Sequence, residues 1–292
     1  TRVPGTTAVA NQSTADLRWY LFGSNQFGGG VSNAHNGVMA YEHAYQGVEA
    51  RKAYFFMGDA MVCMGSGIKA ARTQEVRTSV NQCLANGEVT YGLSGHTYRL
   101  TNNLSDKNID WAYHDNVGYI FPQNESVTLR KAKQTGAWRE LEVTASDKPV
   151  TKEIFSLWVS HGTTPQHEDY CYIIMPDKPL SYFTDKKFEN EIKIIVNSEQ
   201  IQAISNENKR QYAAVFYEPG EIRFAEDLVV AVNKKVIIYI EKKDKQYEIA
   251  VADPLYKEQS LQLSMNGEQI NIVFPSGDYS GSSVIKHITE KH

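Results

Sequence analysis

What most constrains the fold is a rhythm: short segments alternating apolar and polar residues, rich in β-branched and aromatic side chains, each closed by Gly, Pro, Asn or Asp. Residues 50–57 (Ala-Arg-Lys-Ala-Tyr-Phe-Phe-Met) run into Gly58-Asp59 and are answered by Ala60–Met64, which reads as a β-hairpin. Glu75–Cys83 alternates up to the Asn86-Gly87 turn, and 88–100 and 111–121 read as further strands. Lys152–His161 and Asp169–Met175 are long strands closed by Gly162 and Pro176. A period of two places alternate side chains on opposite faces of a sheet, and a helix cannot bury such a pattern on one stripe. Helix-period segments are scarce. The spacing predicts an all-β protein built as sandwiches.

Weaker signals fill the gaps. Residues 8–16 read as a loop, Arg18–Phe22 as a first apolar burst, and Asn102–Asp110 as an exposed polar loop. A break over Gln134–Trp138 precedes an expected return strand, Glu140–Thr144. Composition shifts near 180–192, after which Lys and Glu become more frequent and strands shorten. The reading is a domain over 1–188 and a second, small sandwich over 189–292, with strands from Ile192 to Phe274 and a hairpin turn at Asn266-Gly267.

Charge and cysteine content exclude several function classes. A net charge of −4 argues against holding nucleic acid by bulk attraction. No run of eighteen apolar residues supports a membrane span, and no leader pattern occupies the first thirty residues. Cys63, Cys83 and Cys171 are widely spaced and lack CxxC pairing, so neither a zinc site nor a disulfide framework is indicated; Cys63 and Cys171 read as small buried hydrophobes. A start at Thr1, with no methionine, reads as the start of a processed or excised piece.

The candidate site is the run Gly28-Gly29-Gly30-Val31-Ser32-Asn33-Ala34-His35-Asn36-Gly37. Three glycines let the backbone take positive φ or approach a partner closely, and read as a turn between strands. Asn33, His35 and Asn36 then supply donors and acceptors on a loop. None of the eight histidines sits in a metal-ligand spacing; His114 and His161 read as strand-end residues bonded to backbone. No nucleophile elbow, phosphate loop or dinucleotide fingerprint is present.

Six segments occur together in one order: residues 2–7 (Arg-Val-Pro-Gly-Thr-Thr), 28–32, 50–56 with Gly65–Ile68, 78–82 (Thr-Ser-Val-Asn-Gln), 114–121 (His-Asp-Asn-Val-Gly-Tyr-Ile-Phe) and 155–162 (Phe-Ser-Leu-Trp-Val-Ser-His-Gly). In this order they resemble the central and C-terminal parts of polysaccharide lyase family 8, the chondroitin AC, hyaluronate and xanthan lyases. The resemblance implies a large antiparallel β supersandwich followed by a smaller C-terminal β sandwich. It also implies an N-terminal α/α toroid, as a domain or a separate chain, that carries the catalytic Asn, His, Tyr and Arg and is not in these residues.

The implied reaction is β-elimination on an acidic polysaccharide of the chondroitin or hyaluronan class, outside the cell or in the periplasm. No catalytic residue is assigned within the chain, which is expected to be inactive without the toroid. Asn33, His35 and Asn36 are the expected substrate-binding residues. No metal set and no required cofactor are expected, and the sequence leaves a structural calcium ion open. No nucleic acid or membrane partner is expected. The competing reading is a stand-alone carbohydrate-binding β module without activity.

Overall fold

The computed structural model describes residues 3–10, 25–71, 73–123 and 125–290. Residues 11–16 of the expected loop and the apolar burst Arg18–Phe22 lie outside the described residues. Among the described residues, four antiparallel sheets carry the fold. The five-stranded sheet runs, edge to edge, Thr7–Val9, Glu75–Leu84, Val150–Thr163, Val127–Gly136, Leu104–Lys107. A nine-stranded sheet runs Gly28–Ser32, Gly37–Tyr45, Val48–Met57, Ala60–Ala70, Glu168–Pro176, Val117–Ile120, Trp111–His114, Val89–Leu93, His96–Arg99. The six-stranded sheet holds Lys193–Asn197, Ile201–Asn206, Gln211–Phe216, Val236–Lys243, Gln246–Ala252 and Val284–Thr289, and the four-stranded one Gly220–Ala225, Leu228–Val232, Ser260–Met265 and Glu268–Val273. Among the described residues no helix is long and apolar enough to cross a membrane.

By backbone contacts the chain divides into two compact units that are interleaved in sequence. The first gathers the Thr7–Val9 strand with residues 44–49 and 68–185; the second gathers 25–43, 50–67 and 186–292.

In the first unit, alternation along Val150–Thr163 and Val127–Gly136 buries Phe155, Leu157, Val127 and Leu129. His114 stacks on Phe155 at 4.3 Å between ring centroids, and Tyr170 stacks on Tyr172 at 5.7 Å. Gly118 is a packing glycine: a Cβ there would stand 1.9 Å from the ring of Phe183, which the short helix Leu180–Thr184 delivers fully buried. No disulfide joins the three cysteines; Cys171 here and Cys63 in the second unit are buried.

In the second unit, the six- and four-stranded sheets enclose a sandwich core that includes Phe216, Phe224, Ile238, Ile240, Leu261 and Leu263. Tyr217, fully buried, donates its hydroxyl to Gln202 Oε1 at 2.7 Å, and Gln202 in turn donates to Asn197 Oδ1 at 2.8 Å. Desolvation lifts the Tyr217 phenol well above its usual range, so it stays neutral and serves as a donor.

Several local expectations change. Gly28–Ser32 is strand rather than turn, and the turn is Asn33–Asn36. Within the expected loop 102–110, Leu104–Lys107 is an edge strand paired to Val127 and Leu129. An edge strand with one partner and largely exposed side chains needs no apolar alternation, so its composition reads as loop. Glu140–Thr144 forms no strand: a 3-10 turn over Trp138–Glu140 leaves Leu141 and Val143 exposed, with the Glu140 carboxylate accepting from Ala137 N–H at 3.0 Å.

Candidate functional site

The glycine run pairs with Gly37–Tyr45 in strict register, Gly28 opposite Tyr41 through Ser32 opposite Gly37. None of Gly28, Gly29 and Gly30 takes a positive φ. Their use is close approach: a Cβ on Gly30 would lie 2.9 Å from the Val38 carbonyl oxygen, and one on Gly37 would lie 2.7 Å from that of Val31. Side chains at these positions would force the two strands apart.

The turn is stitched by its own polar groups. Asn33 Oδ1 accepts from the N–H of His35 at 3.2 Å and of Asn36 at 2.9 Å, an Asx turn, while Asn33 N–H donates to the Asn36 carbonyl at 3.2 Å. Ala34 takes the left-handed conformation at φ 74°, supported by its N–H donating to Ser32 Oγ at 3.0 Å.

The three expected site residues therefore share one turn, but they face different ways. Asn33 and Asn36 are buried and His35 is exposed. Asn33 Nδ2 donates to Glu248 Oε1 at 2.8 Å and Glu241 Oε2 at 3.2 Å. Those two carboxylates sit directly opposite each other on neighbouring strands, where like charges repel; the Asn33 amide and the Lys243 ammonium, 3.6 and 4.0 Å away, draw them together. Asn36 Oδ1 accepts from Gly58 N–H at 2.8 Å, and its side chain also bonds Tyr239. Burial, then the neighbouring Glu241 carboxylate, keeps the Tyr239 phenol protonated far above its ordinary range. Both amides thus fix the turn to the six-stranded sheet.

The outward side is an open hollow of about 620 Å³, within the size range of small-ligand sites, lined among others by His35, Met39, Tyr41, Phe56, Tyr256 and Ser283. Phe56 is 42% and Tyr256 53% exposed, large aromatic faces that a soluble strand or loop does not need for packing. Tyr256 is held by Asp253, whose buried carboxylate accepts the backbone N–H groups of Leu255, Lys257 and Glu258 at 2.8, 2.7 and 2.7 Å. That loop sets Tyr256 at φ 60°, with its hydroxyl 3.5 Å from where a Cβ on Gly29 would stand. The hollow combines aromatic faces, one imidazole and hydroxyls, a set that fits the apolar and hydroxyl faces of a sugar ring.

Sequence reasoning passed over Phe56 and Tyr256. Phe56 sits beside Phe55 in a strand whose burial alternates, so one of the pair had to face outward. Tyr256 follows Asp253-Pro254 in a loop and carries no periodic signal. Two buried ionisable groups were also missed. Lys52 is in phase with the buried Val48 and Ala50, and desolvation lowers its ammonium to about 7. Glu125 is raised to about 7, by burial first, against the Cys171 N–H that bonds its Oε1 at 2.7 Å. His114 has its imidazole lowered by burial, and His161 Nε2 bonds Thr78 Oγ1 at 2.8 Å. Among the described residues no group of three or more His, Cys, Asp and Glu is placed to hold a metal ion.

The sequence matches the super-sandwich domain of polysaccharide lyase family 8 over residues 1–187 and that family's C-terminal β-sandwich domain over 193–262. It is 30% identical to the chondroitinase-AC of Pedobacter heparinus over 97% of this chain and 41% of the relative. It is 23% identical to a hyaluronate lyase of Thermasporomyces composti, over 93% of this chain and 35% of that protein. A chondroitinase AC lyase solved with oligosaccharides superposes with a TM-score of 0.88 at 28% identity, covering 98% of this chain and 43% of that one. A Paenibacillus xanthan lyase shares the fold at a TM-score of 0.85 and 20% identity, covering all of this chain and 31% of that one. The chain spans less than half the length of these relatives. It belongs to polysaccharide lyase family 8, of which it holds the super-sandwich and C-terminal β-sandwich domains.

Proposed function

We propose that this chain is the β portion of a lyase that cleaves uronic-acid-containing glycans, of the chondroitin and hyaluronan class, by β-elimination. The observation that carries the reading is the 30% identity to a chondroitinase-AC sustained over 97% of the chain. In this reading residues 1–188 and 189–292 are its two β domains, and the catalytic α/α toroid is supplied outside them. The protein works in the periplasm or outside the cell, where such polymers are met.

The chemistry sets the requirements. A base removes the proton at C5 of the uronate and the 4-linked oxygen departs, leaving a double bond between C4 and C5. That proton is only weakly acidic, so donors must neutralise the uronate carboxylate as negative charge develops, and an acid must meet the leaving oxygen. The toroid brings the base and most donors; side-chain groups suffice, and no cofactor is called for. The β portion contributes the glycan-facing surface at the glycine hairpin. There His35 offers the polar contact and Phe56 and Tyr256 the stacking faces, while Asn33 and Asn36 hold the turn in place.

The test is to incubate the intact protein with chondroitin, hyaluronan and xanthan and follow the ultraviolet absorbance of the unsaturated uronate. Absorbance should rise with at least one polymer. Intact protein that cleaves none of them would defeat the proposal.

A further inference from the structure

The first unit carries a second hollow, unrelated in composition to the glycine hairpin. It lies on one face of the five-stranded sheet, is about 780 Å³, and is lined almost wholly by polar side chains. Trp158 forms its floor, buried, opposite Thr128 on one neighbouring strand and Ser79 on the other. The Arg77 guanidinium lies over the Trp158 ring at 4.7 Å and pairs with Glu75, which also accepts from Ser160 Oγ at 2.7 Å. Arg77 Nε is buried and has no hydrogen-bond partner among the described residues.

Two further donors line the hollow without an acceptor among the described residues. Arg130, two residues from Thr128 and so on the same sheet face, is exposed and makes no ion pair among the described residues. Asn103 uses its Oδ1 to accept the Lys131 N–H at 3.1 Å, which leaves its Nδ2 to donate outward. Acceptors stand beside them: Asp106, held by its own N–H to Thr128 Oγ1 at 3.3 Å, takes the Ser126 hydroxyl at 3.3 Å.

Two arginines and two carboxylates line the hollow, so its formal charges cancel. Such a site is poor at holding a densely charged polyanion. It fits a ligand rich in hydroxyls that carries isolated carboxylates, since hydroxyls need both donors and acceptors and Arg130 is the one guanidinium here not already committed.

We propose that this groove is a second glycan-binding site, which takes a uronic-acid-containing, unsulfated stretch of the polymer with a uronate carboxylate on Arg130 and a ring hydroxyl on Asn103. The choice of glycan rests on the lyase reading above; the groove itself does not. It would hold polymer that is not being cut and raise its local concentration, without a part in the elimination.

The experiment is titration calorimetry of the 292-residue chain with a hyaluronan hexasaccharide, a heparin-derived hexasaccharide and neutral chitohexaose. Hyaluronan should bind more tightly than chitohexaose and at least as tightly as the heparin fragment. Arg130→Ala should weaken hyaluronan binding at this site at least tenfold, and Asn103→Asp, which keeps the acceptor for Lys131, at least fivefold. Arg99→Ala, which removes an exposed arginine paired with Glu88 instead, should leave it unchanged. His35→Ala, in the other hollow, should leave the Arg130-dependent component in place. Thermal melts confirm that each variant is folded. Binding unaffected by Arg130→Ala, no detectable hyaluronan binding, or heparin bound more than tenfold tighter than hyaluronan would each overturn the proposal. Because binding needs no turnover, an intact protein that fails to release unsaturated product while Arg130 still governs binding counts against the lyase reading alone.

Discussion

The two hollows treat their polar side chains in opposite ways. At the glycine hairpin the amides turn inward, Asn33 to Glu241 and Glu248 and Asn36 to Gly58 and Tyr239, and the face left to solvent is aromatic with one imidazole. On the five-stranded sheet the floor is a buried tryptophan, and Arg130 and Asn103 reach outward. A polar residue in a loop is therefore no guide to its role until the strands beneath it are known. Asn33 lies over two facing carboxylates that need a donor, whereas Arg130 is exposed on a sheet face and makes no ion pair among the described residues.

The contrast can be tested from its strongest side. Asn33→Ala should cost about 2–3 kcal/mol of stability in urea denaturation, because it leaves two part-buried carboxylates opposed without their shared donor. If Asn33→Ala left stability unchanged and slowed elimination, the amide would be facing the glycan and the distinction between the two hollows would fall.

Buried polarity in the first unit behaves like the inward amides. Glu125 has a folded pKa of about 7, above its unfolded value, so the stability it contributes is full below about pH 4.5 and lost as pH rises through about 7. Glu125→Gln keeps the acceptor for Cys171 N–H and loses the titration. It should flatten that decline and gain about 2 kcal/mol at pH 8, read from melting curves across pH. An unchanged pH profile would mean the carboxyl is better solvated than its burial implies.

Gly37→Ala addresses the backbone that shapes the hairpin. A Cβ placed 2.7 Å from the Val31 oxygen should cost about 1–2 kcal/mol through strand separation. It should also weaken whatever binding the hollow supports. The smallest effect belongs to His35→Ala, which should change stability by less than about 0.5 kcal/mol, as expected of an exposed side chain. Its effect should appear in KM for the glycan and scarcely in the melt. A large loss of stability would assign His35 to the fold with its neighbours.

Much of the architecture was legible from alternation alone. The hairpin at Gly58-Asp59, the long strand around Phe155 and the turn at Asn266-Gly267 all follow from apolar period and turn chemistry. What escaped were segments whose structure is decided by partners. Leu104–Lys107 has the composition of a loop and becomes strand because Val127 and Leu129 offer a free edge. Leu141 and Val143 alternate convincingly and face water because no sheet edge receives them. For the glycine run, sequence identified an important backbone but assigned the wrong geometry: it is strand with no positive φ, and glycine is needed for the closeness of the facing chain. Placing Asn33, His35 and Asn36 in one turn was legible too. Which of them face outward was not, because that depends on Glu241 and Glu248, more than two hundred residues away in sequence.

The most direct measurement of the central reading is the chemistry of the cut end. The intact protein should be allowed to digest hyaluronan and chondroitin in heavy-oxygen water, with the products analysed by mass spectrometry. Elimination predicts fragments with an unsaturated uronate at the new non-reducing end and no heavy oxygen introduced by the cleavage. Saturated fragments carrying one solvent oxygen per cut would show hydrolysis and contradict the account.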